Sequence, residues 1–223
     1  MANHLEELPL IPLQMVLFPF ATLQLHIFED RYRELIHNCL ESNKSFGVVL
    51  IRKGEEVGDP NVEPYLVGTT AKITHQETHS DGRIDIRILG EKRFRIRKID
   101  DSKPYLVGYI ELLEEEEIKN TQRTDALVMR AHETFKQLVE IIFASTDLNV
   151  KIMFPQNPAI LSFVIANFLP LSNAQKQYFL EMTDTSSRLA ELIPIIEEKL
   201  SESKVPSIYR VHTSQLEDWI CPN

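Results

Sequence analysis

From Leu8 to Leu35 the chain reads LPLIPLQMVLFPFATLQLHIFEDRYREL, a strongly apolar stretch interrupted by prolines at positions 9, 12 and 19 that leads, through His26 to Asp30, into a segment of helical period. Proline has no N–H to give to a β-ladder, so it is confined to edge strands, strand starts and bulges. The run is therefore predicted as a bent, partly edge-placed strand system, not a central strand or a membrane-spanning helix. Tyr32, Leu35, Ile36, Cys39 and Leu40 follow at helical spacing, which predicts a short helix over Asp30 to Leu40. Phe46 to Ile51, FGVVLI, is wholly apolar and reads as a buried strand. Gly54 to Pro64 is a polar loop. Leu66–His75 and Ile84–Leu89 flank Ser80-Asp81-Gly82, the chemistry of a hairpin turn. Ile84, Ile86 and Ile88 alternate with Asp85 and Arg87; Phe94 and Ile96 alternate with Arg93, Arg95 and Arg97. Both patterns predict half-buried strands with a solvated face. One more strand is predicted over Tyr105 to Leu113.

The pattern then changes period. Residues 114–124, with four consecutive glutamates, read as an acidic linker. In Asp125 to Phe143 the residues Leu127, Ala131, Phe135, Leu138, Val139 and Ile142 share one helical face. Asn157-Pro158 is a cap followed by a first-turn proline, and the helix after it, to Leu169, is apolar almost all round. Ser172 with Gln175 fits a capping box. A last helix starts at Ser186 or Ser187 and runs to about Ser201. The fold class is thus α+β: a β-rich lobe over 1–113, the linker over 114–124, a helical lobe over 125–204 and a tail over 205–223 with the lone Trp219.

Charge and cysteine content narrow the function classes. The net charge is −9, with −2 on residues 1–110 and −7 on the rest. An acidic chain disfavours phosphate backbones and anionic membranes as partners. Cys39 and Cys221 form neither a metal-ligand pair nor a disulfide framework, which suits a reducing cytoplasm. No apolar run approaches the ~20 residues that a bilayer requires.

Candidate chemistry is sparse. A phosphate-binding loop requires G-x-x-x-x-G-K-[ST]; Gly54 and Gly58 have no such lysine. His75-Gln76-Glu77-Thr78-His79 is not a zinc motif, because on a strand residues i and i+4 lie ~13 Å apart. Arg83, Arg87, Lys92, Arg93, Arg95, Arg97 and Lys98 form the one basic concentration. It reads as a solvated strand face or, alternatively, as an RNA-binding face. His26 to Tyr32 reads as a strand-to-helix corner, with Asp30 able to cap and Arg31 or Glu29 able to pair. Met15, Val16, Leu17, Phe18 and Phe20 are large apolar residues packed into one short stretch. They are either core or a peptide-binding edge.

Four motifs carry a family resemblance. LPL-x-PL…FP with L-x-HIFE-x-RYREL opens the chain; Leu66-Val67-Gly68-Thr69 with Ala71-Lys72-Ile73 follows; then Asp81-Gly82 with Leu89-Gly90-Glu91-Lys92-Arg93-Phe94; then Phe168-Leu169-Pro170-Leu171 with Gln175-Lys176-Gln177. Together, over roughly residues 8–200, they resemble the N-terminal, substrate-binding domain of Lon proteases, in a stand-alone form without the ATPase and protease modules. Three positions depart from the pattern. Phe20 stands where glycine commonly follows FP, Gln24 where proline is common, and Asp30 where proline is common after HIFE. The resemblance implies a PUA-like pseudo-barrel followed by a helical bundle, with no enzymatic activity and no cofactor. It implies binding of unfolded or extended polypeptide segments, or of a dedicated protein partner, and a role as adaptor or modulator of proteolysis. The candidate binding residues are Met15, Leu17, Phe18, Phe20, His26 and Phe28.

Overall fold

A computed structural model describes residues 5–59, 61–116, 122–144, 151–152, 154–202 and 220–221. Trp219 and Glu117 lie outside the described residues. The chain divides into two compact units, Met1–Glu114 with Ser172–Glu181, and Glu115–Leu171 with Met182–Asn223.

The first unit opens with a strand that carries two prolines. β1 (Glu6–Leu13) pairs antiparallel with β6 (Val107–Leu112) through Glu6 to Pro9, then parallel with β3 (Phe46–Lys53) through Leu10 to Leu13. Leu10 N–H donates to Leu106 O on the β6 side. By alternation, the nitrogen of Pro9 faces the β3 side before that ladder begins, and that of Pro12 faces the β6 side after that ladder has ended. β1 thus lies between two strands in sheet order, yet each proline sits where its strand is locally an edge.

β4 (Glu63–Thr78) and β5 (Ile84–Asp100) form a long hairpin. The sheet order is β2-β5-β4-β3-β1-β6, and β5 also pairs with β6, which closes β5-β4-β3-β1-β6 into a ring. β5 does this by being one bent strand, where two were expected. Its first part pairs with β2 (Thr22–Ile27) and its second, from Phe94, with β6. Leu8, Leu10, Val49, Phe94, Ile96 and Ile110 fill the ring. Gly68 lets β4 pass close to it, since a Cβ there would lie 2.4 Å from Val48 O and 2.8 Å from the Phe94 ring. α1 (Asp30–Ser42) buries Tyr32, Leu35, Ile36 and Cys39. Burial pushes the Cys39 thiol up to about 11, so it stays protonated.

α4 (Asn173–Glu181) belongs to this first unit although it falls within the helical half of the sequence. Its capping box forms as expected: Gln175 N–H donates to Ser172 Oγ and Ser172 N–H to Gln175 Oε1. Gln177 Nε2 then donates to Val67 O at 3.0 Å, and Arg93 Nη1 donates to Leu180 O at 2.7 Å. Arg93 is 2% exposed, so the expectation that it lies on a solvated arginine face is corrected; its guanidinium satisfies a helix-end carbonyl in the interior. Arg83 and Arg97 are paired with Asp81 and Glu111.

In the second unit α5 (Thr185–Glu202) packs against both α2 (Gln122–Ala144) and α3 (Pro158–Phe168). Asn157 Oδ1 accepts from Ala159 N–H and Ile160 N–H, as a capping asparagine does. Phe135 meets Phe154 and Phe168 edge-on. α5 begins slightly before the serines expected to open it, because Asp184 supplies the cap through Ser187 N–H. The glutamates expected as free linker are engaged here: Glu115 pairs with Arg188 and accepts from Thr185 Oγ1, and Glu116 accepts from Thr183 Oγ1. The remaining strands, β7 (Lys151–Ile152) and β8 (Ile220–Cys221), pair with each other.

Candidate functional site

Residues 14–21, between β1 and β2, form a corner and not a strand. Backbone groups fix it to the β-rich unit. Asn173 Nδ2 donates to Gln14 O, and Thr69 Oγ1 donates to Leu17 O at 2.6 Å. Phe20 N–H donates to Gly90 O at 2.7 Å, and Gly90 N–H to Ala21 O at 2.8 Å. Two residues at the entry to β2, Phe20 and Ala21, thus oppose one residue of β5, and the first, Phe20, has φ +66°. This is the geometry of a bulge whose first residue is normally glycine. Gly90 makes the approach possible, because a Cβ on it would lie 2.3 Å from Phe18 O.

The corner sorts the candidate residues. Leu17 and Phe18 are buried, Phe18 completely. For these two the core alternative holds, and the corner's tight closure is the reason. Met15 is 38% exposed and Phe20 40%. β2 then carries His26, exposed on its polar face, and Phe28 follows the strand at 47% exposed. Phe20 and Phe28 therefore flank the two ends of β2.

The three family departures each fall where the backbone explains the commoner residue. Phe20 occupies a left-handed position, which glycine adopts without strain. Gln24 lies mid-way along the end strand of the sheet, where a proline whose nitrogen faces outward disturbs no ladder. Asp30 is the first residue of α1, where the fixed φ of proline is already helical. Asp30 does not act as the cap; Glu29 occupies that position and pairs with Arg31 at 2.9 Å.

Beside His26 lies a cluster that sequence reading did not assemble. Asp85 accepts from His26 Nδ1 at 2.5 Å through one oxygen and from His79 Nε2 at 2.6 Å through the other. Only the register of β2 with β5 and the hairpin turn bring these together. The bond from Asp85 raises the pKa of His79 above its ordinary 6.5, and the two histidines hold Asp85 below its ordinary 3.8. His79 therefore contributes stability fully below about pH 6.5, and the contribution is lost as pH rises through its folded-state value. Asp85 contributes above about pH 3.8 and loses it as pH falls through its lowered value. The clasp is expected to be tightest between these limits. An NMR titration of His79 checks this: Asp85→Asn is expected to bring its midpoint down, and an unchanged midpoint would refute the clasp.

Among the described residues, no group of three or more His, Cys, Asp or Glu is arranged to hold a metal ion. No helix among them is long and apolar enough to cross a membrane.

The profile of the family described as the ATP-dependent protease La (Lon) substrate-binding domain matches residues 7–198. The Lon protease of Buchnera aphidicola is 26% identical over 200 residues, which cover 87% of this chain and 25% of that protein. The Lon protease of Parabacteroides distasonis is 29% identical over 214 residues, covering 93% of this chain and 26% of its own length. The chain thus spans about a quarter of these curated relatives. A crystal structure of a Lon N-terminal domain protein from Xanthomonas campestris superposes with a TM-score of 0.63 at 27% identity, covering 85% of this chain and 98% of that one. The N-terminal domain of a Mycobacterium avium complex Lon protease, at 20% identity and a TM-score of 0.61, shares the fold. The pseudo-barrel topology, the four motifs and the match over residues 7–198 converge: this chain belongs to the Lon substrate-binding domain family.

Proposed function

We propose that this chain binds exposed apolar segments of polypeptides without itself carrying out a reaction, and that it does so through the part of its β-rich unit that displays Met15, Phe20, His26 and Phe28. As an adaptor or modulator it would present such segments to a proteolytic system. The observation that carries the reading is Phe20. A bulky side chain at positive φ costs roughly 1–2 kcal/mol, yet the ring here is 40% exposed rather than sunk in the core. Backbone strain held in place to display an apolar ring is a feature of recognition surfaces. Within the basic concentration from Arg83 to Lys98, Arg93 is interior and Arg83 and Arg97 are paired with carboxylates, which weighs against the RNA alternative.

Phe20→Gly tests this directly. Relief of the left-handed strain offsets the lost partial burial of the ring and the added chain freedom, so stability is expected to move by less than about 1 kcal/mol. Capture of apolar peptides on an immobilised array, insensitive to salt in the parent chain, is expected to fall at least tenfold. Undiminished capture by the folded variant would remove Phe20 from the site; no capture by the parent would refute the reading.

A further inference from the structure

β2 is the end strand of the sheet, paired with β5 on one side and, among the described residues, with no strand on the other. The ladder itself says which groups face the open side. Gly90 N–H donates to Ala21 O, and at the far end of the β4–β5 hairpin His79 N–H donates to Arg83 O. Carried through the register, both assign Leu23, Leu25 and Ile27 as the residues bonded to β5. The backbone N–H and C=O of Gln24 and His26 therefore point outward, and both residues are exposed.

Folded proteins ordinarily blunt such edges with charge, proline or a bulge. The strand Thr22-Leu23-Gln24-Leu25-His26-Ile27 holds no Lys, Arg, Asp, Glu or Pro, and beyond the bulge at Phe20 its register with β5 is unshifted. Its two faces differ. Leu23, Leu25 and Ile27 lie on one, half-buried or buried. Gln24 and His26 lie on the other, where with His75, Glu77, Asp85 and Arg87 they line a groove of about 450 Å³. Phe20 and Phe28, both exposed, precede and follow this strand in the chain.

We propose that an extended segment of a non-native polypeptide adds to this edge as a further strand. Its backbone bonds to Gln24 and His26, its apolar side chains follow the Leu23–Leu25 face, and its polar side chains, of either sign, follow the face that carries Asp85 and Arg87. The inference rests on the polypeptide-binding reading above and specifies how the bound backbone is held. The occupant follows from the chemistry of the edge. A row of outward N–H and C=O groups is satisfied by an extended chain and not by a helix, whose own groups are already paired. A second copy of this chain is the less suited occupant, since each copy carries a net charge of −9 and the two repel.

The test uses the whole chain and a fluorescein-labelled Lys-Thr-Leu-Thr-Leu-Thr-Leu-Lys peptide, followed by anisotropy and by amide hydrogen exchange. The amides of Gln24 and His26 are expected to gain protection at least tenfold on binding, while Leu23 and Leu25 are protected beforehand. Peptide N-methylated at the residues facing β2 is expected to bind at least tenfold more weakly, and peptide methylated at the alternate residues within twofold of the parent. Gln24→Pro, which removes only an outward N–H, is expected to keep the fold and lose binding to the same extent. Binding with unchanged exchange at Gln24 and His26 would overturn strand addition while leaving polypeptide binding intact. No binding of any peptide would overturn both. Protection of Gln24 and His26 that depends on protein concentration without peptide would assign the edge to self-association and overturn the proposal.

Discussion

Arg188→Leu is expected to destabilise the second unit by about 3–5 kcal/mol, read as a lower urea midpoint for loss of its helical signal. Arg188 is fully buried, and each nitrogen of its guanidinium is hydrogen-bonded. Nε donates to Ser162 Oγ at 2.8 Å, Nη1 to Met182 O, and Nη2 to Glu115 Oε2 at 2.7 Å, while the plane stacks 4.0 Å over the Phe163 ring. Desolvation pulls its pKa down and Glu115 opposes that, the balance of a buried ion held by its partner. Leucine fills much of the volume but leaves the Met182 carbonyl and the Glu115 carboxylate without this donor, which is the expensive part of the change. Arg188→Leu with Glu115→Gln is expected to recover part of the loss. If the single substitution costs under about 1 kcal/mol, the ion pair is not the centre of this unit.

The second large effect concerns the corner that displays Phe20. Gly90→Ala places a methyl group 2.3 Å from Phe18 O, a backbone atom that cannot rotate away, and 3.2 Å from Leu17 Cγ. The corner must lift, breaking the paired bonds between Gly90, Phe20 and Ala21. Overpacking of about 1–3 kcal/mol plus about 0.5–1.5 for each of the two lost bonds predicts a loss of about 2–6 kcal/mol. Peptide capture is expected to fall with it, in contrast to Phe20→Gly, where capture falls and stability does not. A Gly90→Ala chain as stable as the parent would mean that the corner does not rest on β5 as described.

The elements were largely legible in the chain because they are set by local period. β3 read as a buried strand from FGVVLI, α3 from Asn157-Pro158 and its apolar run, and α4 from its capping box. Each of these depends on residues within one or two turns of one another. The motifs likewise carried the family, since Gly68 and Gly90 stand where backbone passes too close for any side chain. The candidate site was legible only as a cluster of apolar residues. Met15, Leu17, Phe18 and Phe20 are chemically alike, and nothing in their order separates Phe18, at 0% exposed, from Phe20, at 40%.

The sequence by itself determined the α+β class, the order of the elements and the family. It also determined that Phe20, Gln24 and Asp30 replace the residues commonly found there, but not what those positions were. Only the tertiary structure decided that Phe20 is the first residue of a bulge, that Gln24 faces outward from an end strand, and that Arg93 is interior. It alone brought His26 onto the carboxylate of Asp85, distant in the chain, which His79 shares from across the hairpin turn. The physical reason is common to all of these. Exposure, strain and edge placement belong to strand pairing, whose register is set between segments distant in sequence, whereas helix caps and hydrophobic period are written within a few residues.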